Sequence, residues 1–308
     1  MRTSITWVMV QAVAISIGVP GCGSSGGGGG AAPIYVPDTL NQRIVRMDDM
    51  TGAGWTTLES SGSGTALDHP TGVFVDAGGR IYIADSNNNR IVRVDDMTGA
   101  GWTAFQPVGS GAAFNYPTAV FVDAEQRIYV ADTYNERIVR MNDMTGAGWT
   151  TLGPLAGGEG DFLPTALVLD AEERIYVADP NGGRIARVND MTGAGLLSLS
   201  LDFNYPCGLA LDSTERIYVA ESGNNRIVRI DDMTGAGETT FLGIGAGGTF
   251  NGPCGVFLDS AERIYVVDTG NGRIARVNDM TGAGWTTFGT WGNGVGQFEA
   301  PDDVTWEF

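Results

Sequence analysis

Carboxylates recur in this chain at fixed places, and their spacing is the first feature with chemical potential. Asp76, Asp123, Asp170, Asp212, Asp259 and Glu307 each end a short apolar run of the type TAVFV. Six such groups gathered at one mouth of a channel would offer oxygen ligands to a hard cation such as calcium. Their mutual repulsion would then raise some of their pKa values. The competing expectation, and the favoured one, is that each caps its own turn through side-chain to backbone bonds. A second set lies in the string D-x-x-N-x-R: Asp38/Arg43, Asp85/Arg90, Asp132/Arg137, Asp179/Arg184 and Asp268/Arg273, with Glu221/Arg226 as a variant and Gly182 replacing the asparagine once. A motif present in every copy is better explained by the copy than by a ligand. Asp and Asn stabilise tight turns, and a guanidinium can bond carboxylate and carbonyl at once.

The third set is informative because it varies. A proline opens each apolar run, and the residue after it is Thr71, Thr118, Thr165, Cys207, Cys254 or Asp302. The next residue is Gly72, Ala119, Ala166, Gly208, Gly255 or Asp303. Departures from a repeat cannot be attributed to the repeat. Thr71, Thr118, Thr165, Cys207, Cys254, Asp302 and Asp303 therefore form a candidate ligand ring at the other channel mouth. Cys207 and Cys254 fall on neighbouring copies, and in an exported protein they could form a disulfide. Equivalent positions can also lie just beyond the roughly 5.5–6 Å Cα separation a disulfide prefers. Two thiols with distant carboxylates make a weak soft-metal site. His69 is the one histidine, so no multi-histidine centre can form. Neither G-x-S-x-G nor a phosphate loop is present.

The elements that must position these residues follow from the period. Tyr35, Tyr82, Tyr129, Tyr176, Tyr218 and Tyr265 stand 47, 47, 47, 42 and 47 residues apart, inside near-identical copies of RIYVADTYNERIVRMND. A period of this size marks a repeat architecture. In the copy that starts at Pro117, TAVFVD reads as a strand and Ala124-Glu125-Gln126 as a turn. RIYVAD is a second strand buried on both faces. RIVRMND alternates and lies nearer solvent. The hairpin MTGAG then leads to a short outer strand, WTTL. Four antiparallel strands per unit, without helix, predict propeller blades. The domain opens at Pro33 with a second strand, IYVPD, and ends near Phe308 with first-strand text, FEAPDDVTWEF. The C-terminal strand should complete the N-terminal blade, closing an all-β, six-bladed ring with its edges covered.

The unit F-x-x-P-x-G-V-x-V-D…R-I-Y-V-A-D-x-x-N-x-R-I resembles the NHL repeat over essentially all of residues 33–308. The resemblance implies a six-bladed propeller used mainly as a binding platform. Similar proteins include extracellular sensor domains of bacterial kinases, RNA-binding domains of animal proteins and a few lyases. The amidating lyases and streptogramin lyases of this shape use histidines that this chain lacks. The gluconolactonase-like propellers use Glu, Asn and Asp around calcium, and their ligand set is not matched residue by residue here.

Composition narrows the partners. The formal net charge is −18, from 36 acidic and 18 basic residues, and all the basic residues are arginine. Every arginine except Arg2 occupies one of three repeat slots, which leaves none for the clustered positive patch that nucleic acid requires. Met1 to about residue 21 reads as a signal peptide, with an apolar run from Ile5 to Val19 too short for a membrane span. Val-Pro-Gly-Cys resembles a lipoprotein cleavage site, with Cys22 as the lipidated residue and Pro20 as its departure from the pattern. Residues 22–32 form a Gly/Ser-rich tether. The expectation is an acidic, monomeric, extracytoplasmic binding or scaffold propeller without a cofactor, anchored as a lipoprotein or else secreted. It would hold a protein, peptide or glycan and touch the membrane only through its anchor. The alternative is a calcium-dependent lactonase, hydrolase or lyase of the same fold, with one cation in the channel beside a general base.

Overall fold

The computed structural model describes residues 33–60, 66–109, 113–157, 161–244 and 248–306. The expected signal peptide and tether, with Cys22, and also Glu307 lie outside the described residues. Six four-stranded antiparallel sheets form the blades of a propeller. Blade 2 has the strands Pro70–Val75, Ile81–Asp85, Arg90–Val94 and Thr103–Phe105, counted from the inside outward. Blades 3 to 6 repeat this order, beginning at Pro117, Ala166, Pro206 and Pro253. Blade 1 is composite. Its inner strand, Thr305–Trp306, pairs with Ile34–Asp38, placing Ile34 opposite Trp306 and Tyr35 opposite Thr305. The ring closes through the two ends of the chain, as the sequence predicts.

Apolar matching between neighbours holds the blades together. The second strands Ile81–Asp85, Ile128–Asp132 and Ile264–Asp268 are buried along their whole length. One core cluster joins Phe74 and Tyr82 of blade 2 to Val120, Ile128 and Val130 of blade 3. Another joins Tyr265, Val267 and Ile274 of blade 6 to Ile34, Val36, Val45 and Met47 of blade 1. The MTGAG hairpin of each blade reaches back to the blade before it. Gly146 has φ +78, and a Cβ there would run into the Phe105 ring of blade 2. A left-handed backbone and a ring pressed against Cα both select glycine at that place.

The D-x-x-N-x-R string forms a clasp. In blade 3, Asp132 Oδ1 accepts the Asn115 N–H at 2.7 Å. Its Oδ2 accepts Arg137 Nε at 2.6 Å and Asn135 Nδ2 at 2.9 Å. Arg137 also donates to the Ala113 carbonyl and lies 5.6 Å over the Trp149 ring. The carboxylate is fully buried. The clasp thus fastens the loop that delivers the chain to its own inner strand. Where Gly182 replaces asparagine, the backbone N–H of Gly182 bonds Asp179 instead, and Arg184 reaches the Leu155 and Ala156 carbonyls. In blade 1 the same clasp holds the loop arriving from blade 6. There Asp38 accepts the Glu299 N–H, and Arg43 donates to the carbonyls of Asn293 and Gln297.

Breaking one clasp should therefore be costly. Asp132→Ala leaves Arg137 charged and partly buried without its carboxylate, an arrangement expected to cost about 3–5 kcal/mol. Thermal denaturation should show a fall in Tm on the order of 10 °C. An unchanged Tm would mean that the loop is held by something else.

Candidate functional site

The two mouths of the channel differ in what their side chains are free to do. At one mouth, Asp76, Asp123, Asp170, Asp212 and Asp259 each bind inside their own turn. Asp123 Oδ1 accepts the Arg127 N–H at 2.8 Å, and its Oδ2 accepts Arg127 Nε at 2.5 Å. Arg80/Asp76, Arg174/Asp170, Arg216/Asp212 and Arg263/Asp259 repeat the pair. Several of these arginines also reach the next blade, as Arg127 does to Glu173 at 2.7 Å. These carboxylates serve as turn caps neutralised by arginine, and the structure does not gather them around a shared cation position. Asp170, Glu172 and Glu215 do come together, but around Arg174, which pairs with all three.

At the other mouth the variable ring is largely occupied by structural bonds. Thr71 Oγ1 donates to the Thr118 carbonyl at 3.0 Å, and Thr118 Oγ1 to the Thr165 carbonyl at 3.1 Å. Thr165 Oγ1 donates to the Cys207 carbonyl at 3.3 Å, and Cys207 Sγ to the Cys254 carbonyl at 3.6 Å. Blades 2 to 5 each hand one such hydrogen bond to the next. The cause is a register shift after the proline, between Pro70 and Gly72, Pro117 and Ala119, and Pro206 and Gly208. Such a bulge re-aims a side chain, here sideways toward the neighbouring blade. Thr71, Thr118, Thr165 and Cys207, expected as part of a ligand ring, thus take part in inter-blade hydrogen bonds. The small residues beside it have a packing cause. A Cβ at Gly72 would collide with the Thr118 carbonyl, and one at Gly255 would meet Asp303 Cα.

The disulfide expectation is also corrected. Cys207 and Cys254 are both thiols. Cys207 Sγ lies among the carbonyls of Ala220, Pro253 and Cys254, so it is spent as a donor. The Cys254 thiol lies between Cys207 and Asp302. Its bond with Cys207 and then its burial raise its pKa well above the ordinary range.

Asp302 and Asp303 end the ring differently from every repeat carboxylate. Among the described residues neither has an arginine partner. Burial pushes Asp302 up to about 6, against a lowering bond from Cys254. Burial likewise pushes Asp303 up to about 7, against the N–H groups of Val304 and Val73. Above this pair stand residues that the repeat reading passes over. Tyr116 stacks on Tyr134 with ring centroids 5.0 Å apart and planes at 20°. Tyr205 stands on blade 5, two blades away. Tyr134 is 56% exposed and Tyr205 51%. Tyr116 and Tyr205 each feel the charge of Asp302, so rings from blades 3 and 5 gather at the channel end where blade 1 brings Asp302. Tyr116 and Tyr205 precede proline and have φ of 54 and 58, as His69 (52) and Ala300 (50) also do. The Asn89 carboxamide on blade 2 fixes Tyr116 by accepting its N–H at 2.7 Å. His69 lies at the same rim, bonded to Asp68 at 3.0 Å and to Asn87. The sequence signal was the variation His, Tyr, Leu, Tyr, Gly, Ala before the prolines.

A pocket of about 720 Å³ lies elsewhere, between blades 3 and 4. Its lining of Arg140, Trp149, Asp190 and Thr192 belongs to repeat slots. A comparable groove of about 560 Å³ runs between blades 1 and 2. Recurrence marks both as products of blade stacking.

The model of the NHL repeat matches residues 67–94 and 203–230. These segments lie in blades 2 and 5 of the closed six-bladed ring. This chain is a six-bladed propeller that carries NHL repeats. No curated protein sequence matches it. The NHL-repeat propeller is similar in structure to the nidogen/laminin complex, with TM-score 0.64 and 16% identity over 89% of this chain and 97% of that one. It is also similar to virginiamycin B lyase from Staphylococcus aureus, with TM-score 0.55 and 21% identity over 71% of this chain and 69% of that chain. A catalytically inactive histidine-to-alanine form of that lyase with quinupristin gives TM-score 0.57 and 20% identity, over 76% of this chain and 73% of that chain. These likenesses establish the fold.

Two outcomes follow from the ring. Asp303 has a folded pKa above its unfolded value, so its neutral form suits the fold. Its stabilising contribution is complete below about pH 4 and is lost as pH rises through about 7. Asp303→Asn should therefore raise Tm relative to the unmodified chain near pH 8 and change it little near pH 5. Equal shifts at both pH values would contradict the desolvated carboxyl. Second, the raised thiol makes thiolate scarce. Alkylation of Cys254 by iodoacetamide near pH 8, followed by peptide mass spectrometry, should run at least about tenfold slower than for free cysteine.

Proposed function

We propose that this propeller is a non-catalytic binding module that works outside the cytoplasm and holds a protein or peptide at its tyrosine-rimmed mouth. One observation carries the reading. The rim is where exposed aromatic side chains and carboxyls without arginine partners coincide, whereas the other inner carboxylates are committed to clasps and turn caps. Tyrosine at a recognition surface supplies large contact area at low entropic cost. The likeness to a propeller in complex with laminin supports a protein partner. The N-terminal sequence, with its apolar run and Cys22, supports export and a lipid anchor. The alternative, a calcium-dependent enzyme, draws support from the lyase neighbours. It is weakened by the arginine at each described turn carboxylate, which leaves no oxygen cage on that side.

Peptide display on the full chain tests the reading. Enriched peptides should bind the unmodified protein and lose at least about tenfold in affinity on Tyr134→Ser/Tyr205→Ser, since buried aromatic anchors dominate such interfaces. Both side chains are about half exposed, so the variant should keep its Tm. Peptides that bind the double variant equally well would move the site off the mouth.

A further inference from the structure

We propose that the mouth recognises an alkylammonium group, held by the tyrosines Tyr116, Tyr134 and Tyr205 with the Asp302 carboxylate as its counter-charge. This deepens the proposed function and rests on the mouth being the binding face. The argument begins with charge pairing. Each described D-x-x-N-x-R carboxylate is answered by an arginine, from Asp38/Arg43 to Asp268/Arg273. Asp302 stands where the other blades carry Thr or Cys, and nothing cationic answers it among the described residues. A half-buried carboxylate whose side-chain bond is to a neutral thiol, with no cation beside it, carries a standing cost. A cation arriving from outside would remove that cost.

The surroundings choose the kind of cation. Calcium takes six to eight oxygen ligands, and here the neighbouring Thr hydroxyls and the carbonyls they bond are already engaged in the inter-blade ring. A soft metal would want more sulfur, and the Cys207 thiol is occupied by carbonyls. What remains open is aromatic. Tyr134 and Tyr205 are about half exposed and approach from blades 3 and 5, with Tyr116 stacked behind Tyr134. Tyrosine faces attract organic cations through the ring quadrupole. Rings from blades 3 and 5 with a carboxylate from blade 1, all at one mouth, match an ammonium head group in charge and in apolar contact. The overall excess of acidic residues adds a long-range pull in the same direction. The group could come from a lysine side chain of a peptide or from a free quaternary amine, and both carry the same chemistry.

The test is calorimetric titration of the full chain with choline, with Nα-acetyl-lysine amide, and with 3,3-dimethylbutan-1-ol as the neutral isostere of choline. At least one ammonium should bind with a Kd on the order of 1 mM, a realistic strength for so small a ligand. The neutral isostere should bind at least about tenfold more weakly. Whichever ammonium is tighter identifies the source. Asp302→Asn and Tyr205→Leu should each weaken binding by about tenfold, the second being an exposed position that leaves the fold intact. Equal binding of choline and its neutral isostere would overturn the proposal. So would binding unchanged in both variants, or no binding up to about 50 mM, where a millimolar site would be saturated. A calcium signal lost in Asp302→Asn, without ammonium binding, would overturn it in favour of a metal. If display-selected peptides still depend on Tyr134 and Tyr205 while no ammonium binds, the mouth stands and the ligand class falls.

Discussion

The buried carboxylate–guanidinium pair of each blade is the constraint on which the rest of this propeller depends. Removing two charges from water is expensive, and attraction alone seldom repays it. Here the repayment comes from saturation. Asp85 accepts the Asp68 N–H, Asn88 Nδ2 and Arg90 Nε, and Arg90 spends a further N–H on the Ala66 carbonyl. Burial still pushes the Asp85 carboxyl above its ordinary value, so the environment remains dry despite these bonds. Because the Asp68 and Ala66 groups belong to the loop entering the inner strand, the pair fixes where that strand begins. The proline, the bulge and the mouth residues inherit their positions from it.

A second layer of order is built on that position. Once the bulge points Thr71 toward blade 3, its hydroxyl meets the neighbour's Thr118 carbonyl beside the Ser86 hydroxyl of its own blade. The same step repeats through Thr118, Thr165 and Cys207. Hydroxyls on the adjoining loops form a parallel series, from Thr39 to the Pro70 carbonyl, Ser86 to that of Pro117, and Thr133 to that of Pro164. Inner strands that approach closely enough to exclude a Cβ at Gly72 would otherwise leave carbonyls bare in a dry place. The two series cover them.

Most of the scaffold was legible in the text of the chain, because a repeat states its own structure several times. Blade count, strand order, ring closure through Trp306, and the turn role favoured for Asp76 and its equivalents all follow from period and turn chemistry. The mouth was harder to read. Thr71 and Cys207 look like a ligand ring when only their variation is counted. Their direction depends on a bulge and on the gap between blades, neither of which is local in sequence. Tyr116 and Tyr205 sit in the ordinary-looking string FNYP. Their left-handed backbone and their convergence with Asp302 exist only once blades 3 and 5 have been placed around the axis. Asp302 and Asp303 were visible as departures, and what the fold adds is that among the described residues no arginine pairs with them.

Ring closure also sets an orientation. The chain enters the fold at Ile34, where the second strand of blade 1 starts, and that end of the strand lies on the face of the Asp76-type turns. The strand then runs across the ring to Asp38 and the clasp. The tyrosines therefore open on the face opposite the point of entry, a full blade height away. Ile34 and the tyrosine-rimmed mouth thus stand on opposite faces of the ring, so contacts at one leave the other free.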